Sequence, residues 1–112
     1  MNAYPLADLL ARHRAGTETW LEFLSVPDLT LGLYVLEAGA VDAQEPHSED
    51  EVYVILAGRS RFTAGDETRD VGPGDTLHVP AGVPHRYHDI TETLRIIYMF
   101  APREGTRAGQ LS

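Results

Sequence analysis

From Thr17 onward the chain consists of short runs of Val, Ile, Leu, Tyr and Phe, cut every 8–12 residues by Gly, Pro or Asp. This rhythm constrains the fold more than any other feature. Such runs are too short for independent helices but long enough to cross a sheet. It predicts strands over roughly 18–25, 30–37, 45–48, 51–57, 59–64, 67–70, 76–79, 85–89 and 93–101. Ala57-Gly58-Arg59 and Ala64-Gly65-Asp66-Glu67 read as tight hairpins, and residues 70–75 as a loop crowded with breakers. Only residues 5–15 read as helix: Leu6, Leu9, Leu10 and His13 share a face, Pro5 starts it and Gly16 ends it. The expected organisation is an N-terminal helix over 1–16, an all-β barrel over 17–102 and a mobile tail over 103–112.

At 112 residues the chain is one domain with a real core. There is no cysteine and all nine basic residues are arginines, which excludes thiolate ligands, thiolate nucleophiles and Schiff-base lysines. A net charge of −8 argues against nucleic acid and against anionic membranes. No apolar run is long enough for a membrane span, and charged residues interrupt the apolar stretch at Leu9-Leu10, so a cytoplasmic protein is expected.

Glu45, His47, Glu51 and His85 carry the chemistry. Residues two apart in a strand share a face, so a strand over 45–48 turns Glu45 and His47 the same way. Glu51 then opens the next strand, with Tyr53 and Ile55 on its face. Carboxylates facing a barrel interior are expensive to desolvate unless a cation compensates them. Taken alone, Glu45, Glu49, Asp50 and Glu51 also read as a solvated acidic loop. The second stretch, Val79-Pro80-Ala81-Gly82-Val83-Pro84-His85, is a stiff turn that delivers His85 to the start of a strand. That convergence favours a metal site.

With these residues on the page, the chain resembles a small single-domain cupin. That family's first motif is Gly, five residues, His-x-His, three or four residues, Glu, six residues, Gly. Gly39, His47, Glu51 and Gly58 stand at those positions, with Glu45 where the first His is usual. In the second motif Gly74, Pro80, Gly82 and His85 match, and Asp89 stands where Asn is usual. Fifteen residues separate Gly58 from Gly74, close to the short limit for cupins. The resemblance implies a jelly-roll β-barrel holding one divalent transition metal per chain on Glu45, His47, Glu51 and His85. Two Glu and two His leave such a site formally neutral and favour Mn²⁺, Fe²⁺ or Ni²⁺, with Zn²⁺ possible. Without Glu45, a two-His-one-carboxylate set with open positions remains.

Tyr53, Tyr87 and His78 are the candidate catalytic groups, the tyrosines as proton donors or acceptors and His78 as a fifth ligand or supporting residue. Each also reads as a packed or hydrogen-bonded wall residue. Asp89, Tyr98 and Phe62 are further pocket candidates, whereas His88 falls outside the site by alternation. His13 is accounted for at a helix C-terminus, Trp20 as packing or interface, and Arg59, Arg61, Arg86 and Arg95 as surface charge. The resemblance implies either an enzyme of dioxygenase, isomerase or lyase type acting on a small polar molecule, or a non-catalytic ligand-binding or regulatory module. It also implies a homodimer, since an edge strand near 18–25 and the apolar helix face both need covering.

Overall fold

The computed structural model describes residues 1–108. In chain order these form α1 (Leu6–Ala15), β1 (Trp20–Val26), β2 (Leu29–Leu36), β3 (Asp50–Ala64), β4 (Glu67–Val71), β5 (Thr76–Val79) and β6 (His85–Ala101). Two long strands organise the rest. β3 and β6 run antiparallel from Asp50↔Ala101 to Ala64↔His85. β2 and then β1 add beyond the second half of β6, β4 pairs with the end of β3, and β5 pairs with its start. The antiparallel sheet doubles over on itself as a jelly-roll barrel, as expected.

Both long strands were expected as two shorter ones, and the difference has a local cause. At Ala57-Gly58-Arg59 the chain makes a bulge instead of a hairpin: the register with β6 slips between Ile55 and Arg61. Gly58 has φ +92°, and a Cβ there would overlap the backbone of Thr93. A bulge of this kind bends a strand without ending it. Asp89 produces the matching bend in β6 with φ +50°, a region that Asp tolerates better than most residues. The hairpin between β3 and β4 does turn on Gly65-Asp66, with Ala64 paired to Glu67.

The expected strand at 45–48 does not form. Residues 37–49 are an irregular loop, held by specific bonds. Gly39 N–H donates to Ile90 O (2.9 Å), and Gly82 N–H donates to His47 O (2.8 Å). The buried core runs through Leu36, Tyr53, Ile55, Phe62, Tyr87, Leu94, Ile96 and Phe100. In α1 only Leu9 is buried, and Leu6 is 41% exposed. His13 Nε2 lies 3.0 Å from Thr19 O, which ties the helix end to the barrel.

The tail expected to be mobile is bonded to the barrel as far as Arg107. Arg103 N–H reaches Pro27 O, and Gly105 and Arg107 N–H both donate to the Glu49 carboxylate at 2.8 Å. Residues 109–112 lie outside the described residues. Among the described residues, no helix is long and apolar enough to cross a membrane.

Candidate metal centre

β3 contributes Glu51 and Tyr53, β6 contributes His85, and the 37–49 loop contributes Gln44 and His47. Alternation explains the strand residues: Glu51, Tyr53 and Ile55 are buried while Val52 and Val54 are only partly so. Ligand atoms of His47, Glu51 and His85 lie within 4.8 Å of one another. Glu51 Oε1 stands 3.0 Å from His85 Nε2 and 3.7 Å from His47 Nε2. It is buried beside these two imidazoles, an environment in which a carboxylate oxygen needs a proton or a cation next to it.

The imidazole of His85 is oriented from behind. Its Nδ1 sits 2.9 Å from Val83 O, so Nδ1 carries a proton and Nε2 faces Glu51 and the Tyr53 hydroxyl, the latter at 2.9 Å. Burial alone pulls the His85 pKa down, but the Glu51 carboxylate and the Val83 carbonyl outweigh it and hold it above the ordinary value. Two lone pairs on Nε2 and Oε1 at this separation repel, and a proton or a metal ion between them removes the conflict. For His47 burial wins: desolvation, helped by the His85 charge, keeps its imidazole pKa low despite Glu51. The donor set, two imidazoles and one carboxylate, fits Mn²⁺, Fe²⁺, Ni²⁺ or Zn²⁺.

Glu45 is not part of this cluster. It is exposed, because the loop does not obey the two-residue period on which its placement relied. Gln44, which sequence reasoning missed, takes the inward position. Its amide nitrogen donates to Asp42 Oδ2 (2.8 Å), which turns Oε1 toward the site, where it accepts from the Tyr53 hydroxyl (2.9 Å) and lies 3.3 Å from His47 Nε2. Asp42, buried and also missed, anchors the loop by accepting from the Tyr34 hydroxyl (2.6 Å) and Tyr87 N–H (2.9 Å). No spacing rule picks out Asp42 or Gln44 in an irregular loop. With a neutral amide in place of Glu45, the donor set carries one negative charge.

Of the candidate catalytic groups, Tyr53 stands at the site. Burial, then Glu51 and Tyr87, raise its pKa well above the ordinary phenol value, so it holds its proton. Tyr87 lies in the core beneath, its ring 5.3 Å from that of Tyr53 and 4.6 Å from that of Phe62, with a buried hydroxyl that has no partner. His78 is on the outer face: Leu77 and Val79 are the buried pair of β5, while His78 is exposed and 3.1 Å from Asp50. Asp89 has also left the inner face and pairs with His88 at 2.7 Å, since the bend at its left-handed backbone breaks the alternation from His85.

The cluster opens into a cavity of about 540 Å³ lined by His47, Glu51, Tyr53, Tyr34, Tyr98 and Phe100. Trp20, Glu22, Val41 and Glu104 also line it, and all four are exposed. This is the size of a small-molecule site.

Comparison with known proteins agrees with the fold. A family model described as "Cupin domain" matches residues 32–100. An uncharacterized protein of Streptomyces coelicolor is 43% identical over 104 residues, 93% of this chain and 99% of that protein. The dimethylsulfoniopropionate lyase DddQ of Ruegeria pomeroyi is 39% identical over 59 residues, but these are only 50% of this chain and 29% of the lyase. Its crystal structure superposes with a TM-score of 0.63 at 27% identity, over 68% of this chain and 39% of that one. An RmlC-like protein of Methanocaldococcus jannaschii with a double-stranded β-helix fold superposes with a TM-score of 0.70 over 85% of each chain; at 18% identity it speaks for the fold alone.

Proposed function

This chain belongs to the cupin family, and on that footing we propose that it binds one divalent transition metal and acts on a small polar organic molecule that reaches the metal through its oxygens. One observation carries this reading: the buried Glu51 Oε1 at the wall of the cavity, on which two imidazole nitrogens converge, His85 Nε2 at 3.0 Å and His47 Nε2 at 3.7 Å. His47, Glu51 and His85 would hold the metal, with the Gln44 amide oxygen beside them. Mn²⁺, Fe²⁺ and Ni²⁺ are favoured and Zn²⁺ is acceptable. When bound, the metal supplies Lewis-acid polarisation of the ligated oxygens.

The chain's own groups do the rest. Val83 O fixes the tautomer of His85, and Asp42 fixes the amide of Gln44. Tyr53 keeps its proton and can donate it as a hydrogen bond toward Gln44 or an incoming oxygen. Tyr34, Tyr98 and Phe100 give the cavity aromatic walls. Dioxygenase, isomerase and lyase chemistry all suit this equipment, and a lyase is among the named relatives.

The test is metal analysis after reconstitution. Protein exposed to Mn²⁺, Fe²⁺, Ni²⁺ and Zn²⁺ should retain about one ion per chain, and His85→Ala should lose it. A well-folded wild type that retains none of the four refutes the proposal.

A second reading, a ligand-binding module that performs no reaction, has its own support. Burial raises the pKa values of Tyr34, Tyr53 and Tyr87, so none of these phenols serves as a base at neutral pH. Turnover or oxygen uptake on a panel of diketones, catechols and hydroxy acids eliminates this reading. Thermal stabilisation by one compound without turnover favours it. We also propose a homodimer: β1 ends the sheet order, and Val26 and Leu6 are 38% and 41% exposed. A monomeric mass by sedimentation would refute the dimer.

A further inference from the structure

We propose, resting on the reading above that this cavity receives a small molecule, that Gly32 determines how large that molecule can be. With no side chain at this position the Tyr98 ring lies down in the wall, and the space beside it stays free for a ligand with a ring-sized body. Gly32 is inside β2, where a glycine weakens a strand and marks a close approach or a bend. Its φ lies outside the left-handed region, so conformational freedom does not account for it. The close approach does. A Cβ on Gly32 would lie 2.0 Å from Tyr98 Cζ and 2.2 Å from both its Cε2 and its hydroxyl oxygen. The two residues are paired across β2 and β6, so the tip of the ring fills the place that a side chain would take.

The surroundings leave the ring one way to move. Along β2, Thr30 and Tyr34 flank Gly32 two residues to either side on the same face, and both are buried. Toward β3, Tyr98 is paired with the buried Tyr53, and along β6 the Phe100 ring centroid is 5.6 Å from its own. The sheet backbone lies beneath. The open side is the cavity, whose wall Tyr98 helps to form. Non-bonded carbons settle about 3.5–4.0 Å apart, so a methyl group at position 32 drives the ring tip back by about 1.5 Å or more. The ring then occupies space that a ligand would use. β2 contributes none of His47, Glu51 and His85, so a ligand small enough to stay beside them keeps its place. A ring over a cross-strand glycine also stabilises a sheet, but that role alone makes no distinction between large and small ligands.

The experiment steps the size of the ligand. Zinc-loaded protein is titrated calorimetrically with acetohydroxamate and benzohydroxamate, which share a metal-binding oxygen pair and differ as methyl against phenyl. In Gly32→Ala, benzohydroxamate should bind at least about tenfold more weakly, and acetohydroxamate within about twofold of wild type. Gly32→Ala/Tyr98→Leu removes the ring tip that meets the new methyl group and should bring benzohydroxamate back to within about threefold of wild type. Equal losses for the two compounds overturn the proposal, as do unchanged benzohydroxamate binding and a double variant that stays weak. Tyr98→Leu alone, which does not depend on how Gly32→Ala folds, should favour 2-naphthohydroxamate over acetohydroxamate at least about threefold more than wild type does; no such gain also overturns it. A metal-free arm separates this inference from the metal reading. There 2-naphthol, followed at the Trp20 indole N–H by NMR, should bind wild type and the double variant alike and Gly32→Ala at least about fivefold more weakly. That pattern upholds the role of Gly32 even in a protein that takes no zinc. Zinc uptake with 2-naphthol binding indifferent to position 32 overturns it and leaves the metal reading intact. A wild type that binds neither benzohydroxamate nor 2-naphthol overturns it too.

Discussion

Gln44 presents its amide oxygen to the cluster because its amide nitrogen is already committed to Asp42. That one bond decides which of two neighbouring residues serves the site. A neutral oxygen near His47 adds a donor without adding charge, whereas Glu45 is left in solvent. Gln44→Ala should therefore weaken metal binding by roughly tenfold or more, while Glu45→Ala should change it by less than about twofold. Competition against a chelating dye measures both, and the opposite ranking would return Glu45 to the site. His85 governs the pH response. Its folded pKa is raised, so in metal-free protein its imidazolium stabilises the fold fully below the unfolded value of about 6.5. That contribution is lost as pH rises through the folded value. Metal uptake has the opposite sign, because the proton must leave before the ion binds. Thermal melts of metal-free wild type and His85→Phe across about pH 5 to 9 should converge at the alkaline end; a gap that widens with pH contradicts this assignment.

The elements that matter most are the two long strands and the loop between β2 and β3. β3 and β6 remain continuous because Gly58 and Asp89 absorb the bends, so one strand presents Glu51 and Tyr53 at one end and Phe62 at the other. Gly58→Ala meets both a left-handed backbone and the backbone of Thr93. It should cost about 2–4 kcal/mol of stability, read as a lowered urea midpoint at unchanged slope. The loop has no regular structure, yet its site residues are positioned through Gly39, Asp42 and the His47 carbonyl. A loop with no ladder bonds reaches such order only by borrowing partners from the strands around it.

Across the whole molecule, the segment after β6 is fastened to the barrel through Glu49. This carboxylate is 1% exposed and accepts from Gly105 N–H, Arg107 N–H and the Ser48 hydroxyl. The latch also positions Glu104 in the cavity wall. Burial opposes the charge of Glu49, but those three donors outweigh it and its pKa is depressed. The resulting stability is present above the unfolded value of about 4.3 and is lost as pH falls through the lower folded value. Glu49→Ala should destabilise the protein by about 2–4 kcal/mol and increase hydrogen exchange at Gly105 and Arg107. Unchanged exchange at those two amides would show that the segment is held by other contacts.

Much of this was legible in the residues. Alternation and turn signals determine an all-β chain with one short helix, because burying one face of a strand imposes a period of two. The same period, together with the Pro/Gly turn before His85, places Glu51 and His85 inward, and motif spacing adds His47. The period also separates His78 from Leu77 and Val79, but only the assembled barrel shows that the apolar pair faces inward. Gln44 in place of Glu45, Asp42 beneath it and Glu104 at the mouth were decided by tertiary structure. They lie outside regular elements, where side-chain direction follows from hydrogen bonds to residues distant in sequence rather than from any local period.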